Sequence, residues 1–266
     1  MPRGSGDVTR IRGAIRIAVI VIALAGTYLF AAQQRIPADM ATEPHHRLLL
    51  QNALVRVFAV SIPSHEESYV RHDHNFLTVA LQDGEVVMWR AGASDVMHFP
   101  AKQGDARFFM RGDVIGMRNE TNAEYRNITV EFLDSRVTNY GYRWETGKWD
   151  YGSSAINGPM DPHARFVNQL NLEMAIVSDV QLLSKDSLDA AIESRMELLS
   201  SYDAHNEKKE LLIAITPLEL SNGNDAKVHL AAGEVLWLTG RRSSLVNVGA
   251  EPARFVVVAL RPALSP

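Results

Sequence analysis

The chain has 266 residues, 46% of them hydrophobic and 22% charged, with a formal net charge of −4. That length allows one large or two medium domains with ample core material, and the composition excludes a disordered chain. Cysteine is absent, which excludes disulfides, thiolate metal ligands and a cysteine nucleophile.

The first 35 residues differ from the rest. Arg3, Arg10, Arg12 and Arg16 precede an uncharged, mostly apolar run from Ile17 to Ala32. As a helix that run is about 24 Å long at ~1.5 Å per residue, and Arg16 can snorkel so that Ala14 and Ile15 join the span. Only Arg35 follows closely, so the charge bias places the N-terminus inside and the remainder outside. Two readings stand: an uncleaved single-pass anchor in the cell inner membrane, or a cleaved signal peptide releasing a periplasmic or secreted protein. Ala23-Leu24-Ala25 comes too early for cleavage, and Phe30-Ala31-Ala32 has a bulky residue where a small one is wanted, which favours the anchor. Residues 1–35 hold five of the 27 basic residues and one of the 31 acidic ones, leaving 22 against 30. Such a remainder carries no nucleic-acid footprint and points to small molecules or proteins as partners.

Gln33 to Pro44, polar with two prolines, reads as a linker. Strands are expected at 47–51, 54–62, 75–81, 85–90, 95–99, 105–111, 115–119 and 125–133. They are separated by turn signals such as Asp83-Gly84, Gly104-Asp105 and Gly112-Asp113. Short strands at near-regular spacing, with almost no helical periodicity, argue for an antiparallel sandwich or barrel. From Ser135 to Gln169 the pattern breaks, and Tyr140, Tyr142, Trp144, Trp149 and Tyr151 cluster among glycines and charges. These rings could stack on a ligand or pack as a connector over two domains. Strands resume at 172–183. Leu188, Ile192, Met196 and Leu199 then share one face of a helix over 187–200, with Ser187 as N-cap. Further strands are expected at 210–216, 227–230, 234–238, 243–248 and 254–260.

The two halves repeat. Gly112 to Asn119 lies on Gly240 to Asn247 without a gap, and Tyr125 to Phe132 lies on Ala253 to Leu260. Leu77 to Leu81 matches Leu211 to Ile215, Met97-His98-Phe99 matches Val228-His229-Leu230, and Gly104 matches Gly233. A unit of about 130 residues is too long for a solenoid and reads as two tandem copies of one β-domain. The organisation expected is 1–35 arginines plus anchor or signal, 36–134 first domain, 135–170 connector and 171–266 second domain. In the first copy, Arg71-His72-Asp73-His74-Asn75 places two histidines two apart. On a strand both imidazoles would face one spot, as in a metal-holding barrel.

These residues resemble the cupin superfamily, specifically a bicupin. The second cupin motif is Gly, five residues, Pro-x-Gly, two residues, His, three residues, Asn. Here Gly104, Gly112, Ile115 and Asn119 keep its spacing, and Gly233, Gly240, Ser243 and Asn247 repeat it one residue shorter. His72-x-His74 fits the centre of the first motif, with Gly84 near its closing glycine. The resemblance covers roughly 46–134 and 172–262. It implies an all-β chain of two tandem jelly-roll (double-stranded β-barrel) domains behind one N-terminal transmembrane or signal helix.

The family's metal ligands carry over only onto His72 and His74. The motif-1 Glu position falls on Thr78 or Val79 and the motif-2 His on Ile115, while the second copy has Asn206-Glu207-Lys208 and Ser243 instead. The resemblance thus implies a first-barrel pocket of Thr78, His98, Ile115 and Met117. It implies a partial site for a divalent Fe, Mn, Ni or Zn at His72 and His74. Two imidazoles hold a metal weakly without a third donor. His98, matched by His229, also has a structural reading common to both copies. The functions expected are a ligand-binding or structural bicupin, with a possible homodimer surface on the second barrel, or a metal-dependent oxygenase or isomerase. A protein-assembly partner is a third. Asn119-Glu-Thr and Asn127-Ile-Thr spell glycosylation sequons and nothing more.

Overall fold

The structure, a computed structural model, describes residues 36–133, 164–185, 208–240 and 245–260, apart from positions 95, 110, 113, 172–174 and 222–226. The expected anchor or signal segment, the aromatic stretch 140–151 and the expected helix 187–200 lie outside these residues. Among the described residues every regular element is a strand, and no helix is long and apolar enough to cross a membrane.

The first half contributes β1 (Ala38–Asp39), β2 (His46–Gln51), β3 (Val55–Ile62), β4 (Glu67–Arg71), β5 (Asn75–Ala80), β6 (Gly84–Arg90), β7 (Val96–Ala101), β8 (Ala106–Phe109), β9 (Val114–Asn119) and β10 (Tyr125–Phe132). They form two five-stranded sheets, ordered β1-β4-β9-β6-β7 and β2-β3-β10-β5-β8, which face each other as a jelly roll. The second half contributes β11 (Ala164–Asn171), β12 (Ala175–Leu182), β13 (Lys208–Ala214), β14 (Leu218–Ser221), β15 (Lys227–Leu230), β16 (Val235–Gly240), β17 (Val246–Asn247) and β18 (Ala253–Leu260). Their sheets are β11-β12-β18-β13-β16 and β15-β14-β17.

Four strands, β1, β4, β11 and β14, lie outside the expected ones. On β4 the inward residues are Ser68 and Val70, and a buried serine hides the apolar alternation. β14 is only Leu-Glu-Leu-Ser, and β11 begins inside the stretch read as a connector. The linker reading of Gln33 to Pro44 also needs correction. Ala38–Asp39 pairs in parallel with Val70–Arg71, and Met40 is fully buried against Phe58, Ile62 and Val70. Asp39 closes the turn behind it, its carbonyl accepting from the Thr42 and Glu43 N–H groups. Proline and polar content make this strap look like a tether, but one apolar side chain docks it.

Strand alternation divides the interior into layers. From β5, Leu77 and Val79 point away from the first barrel, while Phe76, Thr78 and Ala80 point into it. β10 does the same with Ile128, Val130 and Phe132 outward and Tyr125, Asn127 and Thr129 inward. The outward residues of this sheet meet Ala175, Val177, Leu211, Ile213, Val256 and Val258 of the second half in one continuous cluster. Both faces of these strands are therefore buried, which is why their sequences read as nearly unbroken apolar runs.

The repeat extends to backbone detail. Asn119 and Asn247 are both fully buried. Asn119 Nδ2 donates to the carbonyls of Ile62, Pro63 and Ala123, and Asn247 Nδ2 to those of Leu182, Leu183 and Glu251. The Asn119 carbonyl accepts from His65 N–H and that of Asn247 from Lys185 N–H, and His65 and Lys185 both have left-handed φ (61° and 70°). Gly104 and Gly233 also match, with φ of 89° and 86° and N–H bonds to Ala80 and Ala214. The motif asparagine is thus a structural clamp. Asn127 is buried as well, so neither sequon asparagine is open to modification.

Candidate functional site

The first barrel holds a partly open cavity of about 50 Å³. Its apolar walls include Val86, Met88, Phe99, Phe109, Ile115 and Met117, from β6, β7, β8 and β9. Its polar lining includes Ser68 on β4 and Arg107 on β8, together with two further sets of groups. Thr78 on β5 and Asn127 and Thr129 on β10 lie in the floor, where Thr129 Oγ donates to Asn127 Oδ1 at 3.0 Å. His46 from the start of β2 and His72 from the β4–β5 junction supply imidazoles.

His72 is 6% exposed. Its ring stacks on Phe76 at 3.6 Å between centroids and 12° between planes, and Phe76 stacks in turn on Phe109. Its buried Nδ1 has no hydrogen-bond partner. Burial, with a smaller push from the charge of His46, drives its pKa down to about 3, so the ring is neutral at physiological pH. His74 does not line this cavity. The shared face expected of the pair fails because residues 72–74 form a bend between β4 and β5, and period-two alternation holds only within a strand. His74 is half-buried elsewhere, its pKa lowered by burial and then by the charges of Arg56 and Arg111.

Thr78, Ile115 and Met117 meet at the cavity with His72, and His98 does not. On β7, Phe99 and Ala101 face inward, so parity turns His98 to solvent, 68% exposed and 4.0 Å from Glu85. Its repeat partner His229 is likewise exposed, 3.3 Å from Glu219. This is a surface pair common to both copies.

Sequence reasoning did not single out His46 and Glu43. Both side chains are 5% exposed, and His46 Nδ1 donates to Glu43 Oε2 at 2.5 Å. The same oxygen accepts the His45 N–H at 2.8 Å. Burial pushes the Glu43 carboxyl up, but the His46 hydrogen bond and charge, joined by His45, outweigh it and hold the carboxyl below its ordinary value. The docked strap carries this pair. The available signal was Glu43-Pro44-His45-His46, a carboxylate three residues before an imidazole at a strand start.

The resemblance to cupins implies a metal, and the donors here do not fit one. The cavity presents His46 and His72, and His46 has one nitrogen committed to Glu43. No group of three or more His, Cys, Asp or Glu side chains converges among the described residues. Catalytic sites use about three protein ligands.

Among the described residues the matching positions of the second barrel are apolar. Through the repeat, Thr78, Asn127 and Thr129 correspond to Leu212, Phe255 and Val257, all in the apolar filling of that barrel. The ladders agree: Thr129 pairs with Thr78, and Val257 with Leu212.

No family model matches the sequence, and no curated protein matches it. Solved structures do. AerE from Microcystis aeruginosa aligns with a TM-score of 0.55 at 10% identity, over 85% of this chain and 98% of its own. A salicylate 1,2-dioxygenase from Pseudaminobacter salicylatoxidans aligns with a TM-score of 0.51 at 12% identity, over 97% of this chain and 94% of its own. A variant of that dioxygenase in complex with gentisate gives 0.51 at 10% identity, over 97% and 92%. At such identities the likeness is one of fold alone.

Proposed function

We propose that this chain is a small-molecule-binding bicupin held outside the cytoplasm by its N-terminal segment. In this reading the first barrel is the binding compartment and the second is a structural support. The observation that carries the proposal is the asymmetry between the two interiors. One copy keeps a cavity with a polar floor and two imidazoles, and the other fills the matching floor positions with leucine, phenylalanine and valine. Buried polar groups are expensive to keep without a partner. A barrel that needed only stability would be filled like the second one. The anchored location rests on the arginine-flanked apolar run 17–32 and the acidic remainder, and membrane extraction of the full chain tests it.

The dioxygenase likeness does not carry activity across. At about 50 Å³ the cavity is far smaller than the ~150 Å³ in which an engineered apolar cavity holds benzene. The test is to give the first barrel the second barrel's residues, as Thr78→Leu, Asn127→Phe and Thr129→Val together. Small molecules released from the purified full chain and from this variant are compared by mass spectrometry, with circular dichroism as the folding control. The folded variant is expected to lose a compound that the unaltered chain carries, and identical complements would refute the assignment. Elemental analysis runs alongside. A stoichiometric divalent metal that vanishes in a His46→Ala/His72→Ala variant would replace this reading with a metal-dependent one.

A further inference from the structure

The Glu43–His46 pair gives the cavity a chemical preference, which rests on the reading of the first barrel as a binding compartment. A carboxylate can only accept, so the proton between Glu43 Oε2 and His46 Nδ1 belongs to the imidazole. His46 is charged only when protonated; in its neutral form this bond fixes the tautomer and leaves Nε2 as a lone-pair acceptor. The pair is held from behind. Glu43 also takes the His45 N–H, and the His46 ring sits edge-on to Phe58 in the core. His46 is among the residues that line the cavity, and with Nδ1 committed to Glu43 its Nε2 is the nitrogen left for an occupant.

The remaining cavity groups argue against charge. His72 is neutral, with its Nδ1 unsatisfied. Arg107, the one guanidinium in the wall, lies 4.5 Å from the Phe99 ring centroid, donates to the Pro100 carbonyl and stands 3.8 Å from Asp105, so its charge is already matched. Thr78 and Ser68 offer hydroxyls that serve as donor or acceptor. An anion would face the Glu43 carboxylate behind His46, and a cation would lose its hydration among phenylalanines.

We propose that His46 Nε2, oriented by Glu43, accepts a hydrogen bond from a compact, neutral, planar molecule bearing an N–H or O–H donor, a small primary amide being the class that fits.

Four isosteric planar probes separate the possibilities: acetamide, acetone, acetate and guanidinium. Each is titrated into the full chain labelled with ¹⁵N-histidine, and cavity histidine shifts report binding. Acetamide is expected to bind at least about tenfold more tightly than the other three, since acetone leaves the acceptor unpaired and the ions lose solvation. His46→Phe, which keeps a ring beside Phe58, is expected to abolish the preference for acetamide over acetone. Independently of any ligand or variant, the ¹⁵N couplings of His46 are expected to show protonated Nδ1 and bare Nε2. Equal binding of acetone and acetamide, or tighter binding of either ion, would overturn the acceptor site while leaving the compartment standing. The opposite tautomer would overturn it too. If none of the four probes moves a cavity resonance, the compartment itself falls, and this inference with it.

Discussion

Replacing His72 by phenylalanine tests whether this imidazole is a neutral, unsatisfied group kept at a cost. In the folded chain its pKa is about 3, against an ordinary 6.5, because burial disfavours the charged ring. The unfolded chain therefore binds a proton that the folded chain refuses between those values. Stability attributable to His72 is full above pH 6.5 and is lost progressively as pH falls toward 3. At pH 5 the unfolded state has gained 1.5 pH units of protonation free energy, or about 2 kcal/mol at ~1.36 kcal/mol per unit. Phenylalanine cannot titrate, stacks on Phe76 as the imidazole does, and removes the orphaned Nδ1. The variant is expected to be more stable than the parent by about 1–2 kcal/mol at pH 7 and by about 2 kcal/mol more at pH 5. Urea unfolding of both chains at the two pH values measures this, and the difference between them cancels the carboxylates that titrate in both. A stability difference that does not grow between pH 7 and pH 5 would refute the buried neutral histidine. A destabilised variant at pH 7 would show that Nδ1 has a partner in solution.

Three further outcomes are expected. Asn119→Ala and Asn247→Ala each lose three buried backbone contacts and are expected to cost about 2–4 kcal/mol apiece by denaturant unfolding. Clearly unequal costs would show that the clamp is not equivalent in the two copies. Gly112→Ala, at φ 92° with open space around it, is expected to cost about 1–2 kcal/mol. Gly104→Ala is expected to cost measurably more in thermal unfolding, because its methyl group would also collide with the Arg254 guanidinium, itself held by Asp179. Arg56→Met strands the buried Glu131 carboxylate, whose Oε2 takes Arg56 Nε at 2.7 Å and Nη2 at 2.6 Å, and is expected to cost about 3–5 kcal/mol. Adding Glu131→Gln to that variant is expected to recover part of the loss.

The repeat was legible because the residues that reveal it have backbone tasks that few side chains can perform. Gly104 and Gly233 sit at positive φ, and Asn119 and Asn247 each join three carbonyls, so they keep identity and spacing where the rest of the two copies diverges. Thr78, Ile115 and Met117 were reached through the motif positions of the resemblance, and each points inward from within a strand. His98 was misplaced because only the neighbouring Phe99 and Ala101 define which face of β7 is inward.

His72 and His74 mark the boundary between the two kinds of information. By itself the sequence determined the all-β class, the duplicated domain and the absence of thiol chemistry, because those follow from composition, local periodicity and fixed spacing. Tertiary structure alone decided that the two histidines part company. A bend carries no parity, so which ring enters the barrel depends on what receives it, and Phe76 receives His72. Tertiary structure also brought Glu43 and His46, from a strap that reads as a tether, against the same cavity. Spacing along the chain cannot report a meeting made by docking one buried methionine.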